Sequence, residues 1–257
     1  MAHEFLDALP IHAFQLQPPL LEGSSAAWRE LLVTNLSSSS TPEFTLIPSE
    51  KETLASKSLP MSDLRYSKRQ FEPGTRIEIN TLAIQLVHTM TSLIVNGTRE
   101  VPSPIHDSPI GIGSGSALII DYGPLDGIPS RSLRGICEHK FTSPFDNPGK
   151  QDLTADVDFG CIKDTALSIP GARVSGPISQ RDWLISMGLS LRADRMIKAV
   201  VSNGVNDAMA EKKRDSIRND YRRLVGKEQG EMGQVYNVMS ITPRSEASEG
   251  FASMSAP

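Results

Sequence analysis

The chain has 257 residues, of which 39% are hydrophobic and 22% are charged, and its formal net charge is −4. These values are those of an ordinary globular protein that can bury a core, and the negative charge argues against broad nonspecific nucleic-acid binding. No apolar run is long enough to predict a membrane span. Cys137 and Cys161 fit no zinc motif, so we expect two reduced core thiols and no metal site.

The first quarter of the chain predicts strands and a surface segment. Residues 1–36 are interpreted as the end of a buried strand, an acidic loop and a further strand over 27–36. The polar run at 37–43 and the apolar residues at 44–47 then predict a hairpin with that strand. Residues 48–75, rich in Ser, Lys and Pro, are expected to form a surface excursion with one short helix.

The clearest helix is predicted over residues 80–97. Asn80 can cap its start, Gly97 can end it, and apolar residues recur at helical spacing at Leu82, Leu86, Met90, Leu93 and Ile94. The proline-rich stretch 101–111 excludes regular structure. The glycine run at 111–115 precedes a strand, whereas a phosphate-binding loop follows one, so it is interpreted as an entry loop.

A buried strand ends in an acidic residue at Asp121. Four apolar residues precede Asp121, and Gly123 and Pro124 close the run. The pattern is typical of a strand in a parallel sheet, where ligands bind beyond the carboxyl ends of the strands.

The remaining elements alternate in type and predict an α/β fold. They are a helix over 152–167 capped by Asp152 or Thr154, a strand over 172–177, helices over 179–189, 194–201 and 206–225, and a strand over 233–242. The mixed charges at 211–223 predict a solvated helix face. The small polar tail from 243 to 257 is expected to be disordered.

Acidic residues are the most informative polar group in the sequence. Glu4 and Asp7 follow the first strand, and Asp121 ends a later one. Caps, turns and salt bridges explain such acids about equally well. If the strands meet at one rim of a sheet, however, the carboxylates could hold a cation, and a guanidinium suits bidentate pairing.

Long segments of the chain resemble the MidA-like family of S-adenosylmethionine-dependent methyltransferases, whose eukaryotic members are mitochondrial protein arginine methyltransferases that assist respiratory complex I assembly. The similar segments, in order, are "AHEFLDALPIHAFQ" (2–15), "ALIIDYG" (117–123), "SLRGICEHKFTSPFDNPGKQDLTADVDF" (132–159), "GPISQRDWLISMGLSLR" (176–192) and "EMGQVYNVMSI" (231–241). The resemblance implies a class I, Rossmann-like methyltransferase sheet with an inserted α+β segment. It also implies symmetric dimethylation of an arginine on the 49-kDa-type core subunit of complex I, in the mitochondrial matrix.

The resemblance also suggests roles for six residues. Glu4 would orient the acceptor guanidinium and accept its developing positive charge, with Asp7 in support. Asp121 and Tyr122 would line the substrate side. Arg134 and His139 would hold either the inserted segment or the protein substrate; structural pairing explains these two equally well.

The family carries its glycine-rich cofactor loop upstream of the block that matches residues 2–15. We therefore expect residues 1–242 to be the C-terminal portion of a methyltransferase domain, with the N-terminal cofactor-binding half missing. Cofactor-binding residues are then absent, and S-adenosylmethionine binding by this chain alone is expected to be weak. A noncatalytic fragment that retains a partner-binding surface, a methyltransferase for small molecules, and a homodimer all remain open. The first residues are acidic and contain no arginine, so they do not predict a mitochondrial presequence in this segment.

Overall fold

The computed structural model describes residues 2–3, 5–19, 23, 25–36, 43–97, 115–202, 207–228, 230–245, 248 and 250–251. Within these ranges no helix is both long enough and apolar enough to cross a membrane. The elements, in chain order, are β1 (Ala2–His3), β2 (His12–Gln17), β3 (Ala27–Asn35), β4 (Phe44–Pro48), α1 (Leu54–Ser62), α2 (Leu64–Ser67), β5 (Arg76–Ile79), α3 (Thr81–Asn96), β6 (Ala117–Tyr122), β7 (Arg134–Cys137), β8 (Lys140–Thr142), β9 (Asp152–Thr154), α4 (Phe159–Leu167), β10 (Ala172–Ser179), α5 (Gln180–Ser186), α6 (Leu189–Ser202), α7 (Asp207–Val225) and β11 (Tyr236–Pro243).

The main sheet has the strand order β1-β6-β11-β10. β1 runs parallel to β6, and β11 pairs antiparallel with both β6 and β10. The mixed α/β expectation is therefore confirmed, but β6 has only one parallel neighbour. β11 is buried along its whole length because it lies between two strands and both of its faces are covered.

A second sheet has the order β4-β3-β2-β5 and is antiparallel throughout. The predicted hairpin of β3 and β4 is confirmed. β5 directly follows the segment 48–75, for which a surface excursion is predicted, and that segment contains two helices where one is predicted. Its side chains are not all at the surface: Tyr66 is 2% exposed and packs with Phe14, Trp28, Ile77 and Ile79.

A small three-stranded sheet has the order β8-β7-β9 and lies within the segment 132–159 that carries part of the family resemblance. β7 and β8 form a tight hairpin in which Cys137 pairs with Lys140. β9 runs along the other side of β7, so that Thr154 lies opposite Arg134. Residues 152–154 are therefore a strand, and the predicted cap at Asp152 or Thr154 is wrong.

The helix after this sheet, α4, begins seven residues later than the sequence indicated. Asp158 is its N-cap and accepts a hydrogen bond from the Cys161 amide at 2.9 Å. Three acids precede the helix, and only the one whose side chain can reach a free amide of the first turn acts as the cap.

One face of the main sheet is covered by α3 and α4. In α3 the residues that face this core are Ala83, Val87, Thr91 and Ile94. Leu82 and Leu93, expected in the core, are 44% and 50% exposed. The helix and its caps at Asn80 and Gly97 are confirmed, but the buried face is centred on smaller residues because the helix packs closely on the sheet.

The described part of the C-terminal segment covers the opposite face of the main sheet. Phe251 is 9% exposed and packs against Ile178 and Val238. Ser248 and Ser240 are joined by a hydrogen bond of 2.6 Å between their hydroxyls. At these residues the structure differs from the disordered tail that composition indicated.

Candidate functional site

The candidate site is built around Asp121, at the carboxyl end of β6. This carboxyl is 1% exposed and accepts hydrogen bonds from the amides of Leu6 at 3.0 Å and Tyr122 at 2.8 Å. Burial, followed by the nearby charge of Asp7, raises the pKa of Asp121 to about 7, although hydrogen bonds from Tyr122, Leu6 and Asp7 amides oppose the shift. The group can therefore gain or lose a proton near neutral pH.

Asp7 lies in the loop that follows β1 and is held from both sides. Its backbone carbonyl accepts a hydrogen bond from the Ala155 amide at 2.9 Å. Its Oδ2 accepts one from the Thr154 hydroxyl at 2.6 Å. Its Oδ1 is buried and has no hydrogen-bond partner among the described residues. A buried carboxylate oxygen without a donor is costly, so the geometry favours a hydrogen-bond donor from a ligand.

Aromatic rings and a guanidinium are connected to the two carboxyls through neighbouring residues: Tyr122 follows Asp121 in β6, and Arg134 pairs in register with Thr154, which binds Asp7. The hydroxyls of Tyr122 and Tyr236 are 2.5 Å apart, and their ring centroids are separated by 4.3 Å. The Arg134 guanidinium lies 5.5 Å from the Tyr122 ring centroid and 5.2 Å from that of Phe141. Cation–π contacts of this kind fix both the ring and the guanidinium.

Arg134 is also tied to the segment before α4. Its Nη1 donates to Asp156 at 2.7 Å and to the Ser132 carbonyl at 2.8 Å. The Ser132 hydroxyl accepts from the Asp156 amide and is hydrogen-bonded to Glu78, which is 5% exposed. Burial raises the pKa of Glu78. These contacts connect β5 of the second sheet to β7 of the three-stranded sheet.

The structure brings together four of the six predicted residues: Asp7, Asp121, Tyr122 and Arg134. Glu4 lies outside the described residues, between His3, which pairs with Ile120, and the loop residue Leu6. Nothing tests its catalytic role, which stays a prediction.

His139 does not join this group. It lies with Glu138 in the two-residue turn between β7 and β8, where both residues have positive φ, and it is exposed. β7 separates it from Arg134 by roughly 10–13 Å at the rise of a strand. The turn requires left-handed backbone at both central positions, so His139 shapes a hairpin tip.

Sequence reasoning missed Thr154, Asp156 and Tyr236 as members of the site. Thr154 contacts Asp7 across 147 residues of chain, and Tyr236 contacts Tyr122 across 114. Asp156 binds Arg134 across 22 residues. The weak signal available was that all three lie in segments on which the family resemblance rests.

Within the described residues, no turn between a strand and a helix is glycine-rich in the way that a methyl-donor loop is. Strands lead directly into helices at Asn80 and at Ser179, and both turns are closed by the side chains that cap the helices. Gly123, after β6, is covered by the backbone of Val157, whose carbonyl oxygen would lie 2.1 Å from an added Cβ. No group of three or more His, Cys, Asp or Glu within the described ranges could hold a metal ion.

Residues 1–178 match the family described as "Putative S-adenosyl-L-methionine-dependent methyltransferase". The chain belongs to this family. The cofactor of the family is S-adenosylmethionine, which supplies the methyl group. Membership confirms the methyltransferase resemblance seen in the sequence.

The curated relatives of this family member carry a more specific description. The zebrafish (Danio rerio) protein arginine methyltransferase NDUFAF7, mitochondrial, is 30% identical over 243 residues, which are 93% of this chain and 47% of the relative. The human protein of the same name is 27% identical over 251 residues, or 97% of this chain and 46% of the relative. The chain therefore spans about half the length of the relatives it matches.

A solved structure shares the fold of this family member. A COG1565 superfamily protein from Burkholderia thailandensis, crystallised with S-adenosyl-homocysteine, matches with a TM-score of 0.66 and 20% identity. The match covers 98% of this chain and 55% of that one. A second structure of a COG1565 protein from the same organism matches with a TM-score of 0.65. At this identity the likeness concerns the fold alone.

Proposed function

We propose that this chain forms the acceptor side of an S-adenosylmethionine-dependent protein arginine methyltransferase. The observation that carries the proposal is the pairing of Asp7 with the buried Asp121, in which the buried Oδ1 of Asp7 lacks a donor among the described residues. A guanidinium presents several N–H groups in a plane and pairs with carboxylates through two hydrogen bonds at once. The unpartnered Oδ1 would receive one of these N–H groups.

The same pair supports the chemistry of the transfer. An arginine nitrogen that takes a methyl group must lose a proton, and an oriented carboxylate accepts it most effectively when its pKa is near the working pH. Asp121, with a pKa of about 7, meets that condition. Tyr122 and Tyr236 would bound the acceptor side chain, and Glu4 would share in orienting it.

The donor loop is proposed to lie outside the described residues, in an N-terminal half that extends the main sheet beyond β1. Two observations support this division. The strand-to-helix turns of the described chain lack glycine, and the chain corresponds to about half of its curated relatives. Among the described residues β1 is two residues long and pairs with β6 alone, and it would then be an inner strand of a larger Rossmann-like sheet.

The proposed target is an arginine of the 49-kDa-type core subunit of complex I, which would be symmetrically dimethylated in the mitochondrial matrix. The names of the zebrafish and human relatives, which include both arginine methylation and mitochondria, support the acceptor class and the compartment. The subunit itself and the symmetric product come from the family resemblance.

A fusion protein tests the division into donor and acceptor sides. The residues of the zebrafish relative that precede its matched region would be joined to Met1 of this chain. Calorimetric titration with S-adenosyl-homocysteine should give micromolar binding by the fusion and binding about 100-fold weaker, by about 2.7 kcal/mol, by the 257-residue chain alone. Micromolar binding by the chain alone would refute the division.

Methyl transfer by the fusion tests the acceptor side. With tritiated S-adenosylmethionine and purified 49-kDa-type subunit, Asp7→Asn and Asp121→Asn should each lower kcat about 100-fold or more while donor binding is unchanged. Asp152→Asn, which removes an exposed acid of β9, is the matched control and should retain activity. A fusion that binds the donor but labels only small metabolites, or nothing, would favour a small-molecule methyltransferase or a noncatalytic fragment.

A further inference from the structure

The contact between Thr154 and Asp7 joins the three-stranded sheet to the candidate site. Thr154 is the last residue of β9 and is 3% exposed. Its hydroxyl donates to Asp7 Oδ2 at 2.6 Å, and the next residue, Ala155, donates its amide to the Asp7 carbonyl at 2.9 Å. Two successive residues of one strand end therefore fix both the backbone and the side chain of Asp7.

The hydroxyl bond determines which oxygen of Asp7 remains available. A carboxylate on a short side chain can rotate about χ2, which is a broad torsion, so either oxygen could face the site in the absence of a fixed partner. Thr154 engages Oδ2 and leaves Oδ1 buried and unpartnered. The β-branched side chain of Thr154 has few accessible rotamers when buried, which makes it a rigid donor.

The strand that carries Thr154 is itself held in place. Thr154 pairs in register with Arg134, which is bound to Asp156 and packed between the rings of Tyr122 and Phe141. The hydroxyl is therefore anchored to the same residues that line the acceptor side. The three-stranded sheet has a function beyond filling space, since it supports the loop after β1.

We propose that Thr154 is a positioning residue of the acceptor site, which orients Asp7 so that Oδ1 faces the substrate guanidinium. The inference rests on the proposed function for its catalytic consequence, whereas the orientation of Asp7 by Thr154 can be measured without any activity. Thr154 touches Asp7 and acts through it. The expected catalytic loss follows from the sensitivity of oriented reactions to small displacements of a reacting group.

The first test is a carboxyl titration of the 257-residue chain by carbon-detected NMR. In Thr154→Val the loss of the hydroxyl frees the Asp7 carboxylate to turn away from Asp121. Because the Asp7 charge helps to raise the pKa of Asp121, this change should lower the titration midpoint of Asp121 from about 7 by about half a pH unit or more. Thr154→Ser, which retains the hydroxyl, should restore the midpoint.

Thr142→Val is the matched control for this titration. The Thr142 hydroxyl makes a hydrogen bond of the same length, 2.6 Å, to Gln151 in the same three-stranded sheet. Its removal disturbs the sheet without touching Asp7, so the Asp121 midpoint should not move. An unchanged midpoint in Thr154→Val, or equal shifts in both valine variants, would overturn the proposal.

The second test measures methyl transfer in the fusion protein. Thr154→Val should lower kcat about tenfold to 100-fold with donor affinity unchanged, and Thr154→Ser should recover most of the rate. Full activity of Thr154→Val overturns the positioning role. An inactive parent fusion counts against the proposed function instead, and the titration then decides the contact between Thr154 and Asp7 by itself.

Discussion

At the scale of the single residue, the protonation state of Asp121 depends on opposing interactions. Three backbone amides favour its ionised form, but its burial and the neighbouring Asp7 favour the protonated form more strongly, so that its pKa rises to about 7. The fold tolerates the free-energy cost of burying this carboxyl because Asp121 links β6 to the loop that carries Asp7, through the Leu6 amide. A residue that is costly for stability and rich in contacts is typical of a functional site.

The raised pKa of Asp121 predicts a pH-dependent loss of stability. Between about pH 4 and pH 7 the folded chain retains a proton that the unfolded chain has released, so the free energy of unfolding falls as pH rises. Urea unfolding should show that the wild-type chain loses about 4 kcal/mol more than Asp121→Asn over this interval. The Asp152→Asn variant should show the same pH dependence of the free energy of unfolding as the wild type. Parallel curves for wild type and Asp121→Asn would contradict the assignment.

At the scale of the element, the start of α4 shows how one side chain can serve several partners. Asp158 caps the helix and also binds the Arg65 guanidinium at 2.8 and 3.0 Å and the Tyr66 hydroxyl at 3.1 Å. The side chains of Arg65 and Asp158 are 6% and 8% exposed. A buried ion pair therefore holds α2 against α4. Without Asp158, the acidic partner of Arg65 among the described residues would be Asp126, which is exposed and lies 3.6 Å from Nη1.

Replacement of the cap should be far more costly than replacement of the exposed acid that the sequence nominated. Asp158→Ala removes the cap and the buried carboxylate that Arg65 binds, leaving the buried guanidinium with the exposed Asp126, so we expect a loss of about 3–5 kcal/mol in the free energy of unfolding. Asp152→Ala should change it by no more than about 0.5 kcal/mol. Urea denaturation of the two variants measures the difference, and similar losses would place the helix start elsewhere.

At the scale of the whole molecule, the main sheet is covered on both faces by segments remote in sequence. α3 and α4 cover one face, and the end of the chain contributes to the other through Phe251. The Gly250 carbonyl accepts a hydrogen bond from the Ser186 hydroxyl at 2.6 Å, which secures this end to α5. The C-terminal segment is therefore part of the folded domain at these residues.

Removal of Phe251 should destabilise the whole domain. Phe251→Ala deletes a nearly buried ring beside Ile178 and Val238, and we expect a loss of about 2–4 kcal/mol, measured by thermal and urea unfolding. Phe141→Ala is the matched control for stability, since Phe141 is 73% exposed. Equal, small effects of the two substitutions would mean that the ring of Phe251 contributes little to the core.

The sequence by itself determined the elements whose signals are local. The apolar run before Asp121, the hairpin of β3 and β4, and the capped helix α3 all follow from periodicity and turn chemistry within about 20 residues. The family, too, was recognisable from the sequence, because long segments retain their order along the chain. These features predicted an acidic rim and its possible partner, a guanidinium.

Only the tertiary structure decided which acids meet and what holds them. Asp121 binds the Leu6 amide across 115 residues, Thr154 binds Asp7 across 147, and Arg65 binds Asp158 across 93. The same structure moved the start of α4 to Asp158 and placed His139 at a hairpin tip. The physical reason is that the neighbours of a carboxyl in space determine its pKa and which of its oxygens has a hydrogen-bond donor. No local pattern of residues specifies those neighbours.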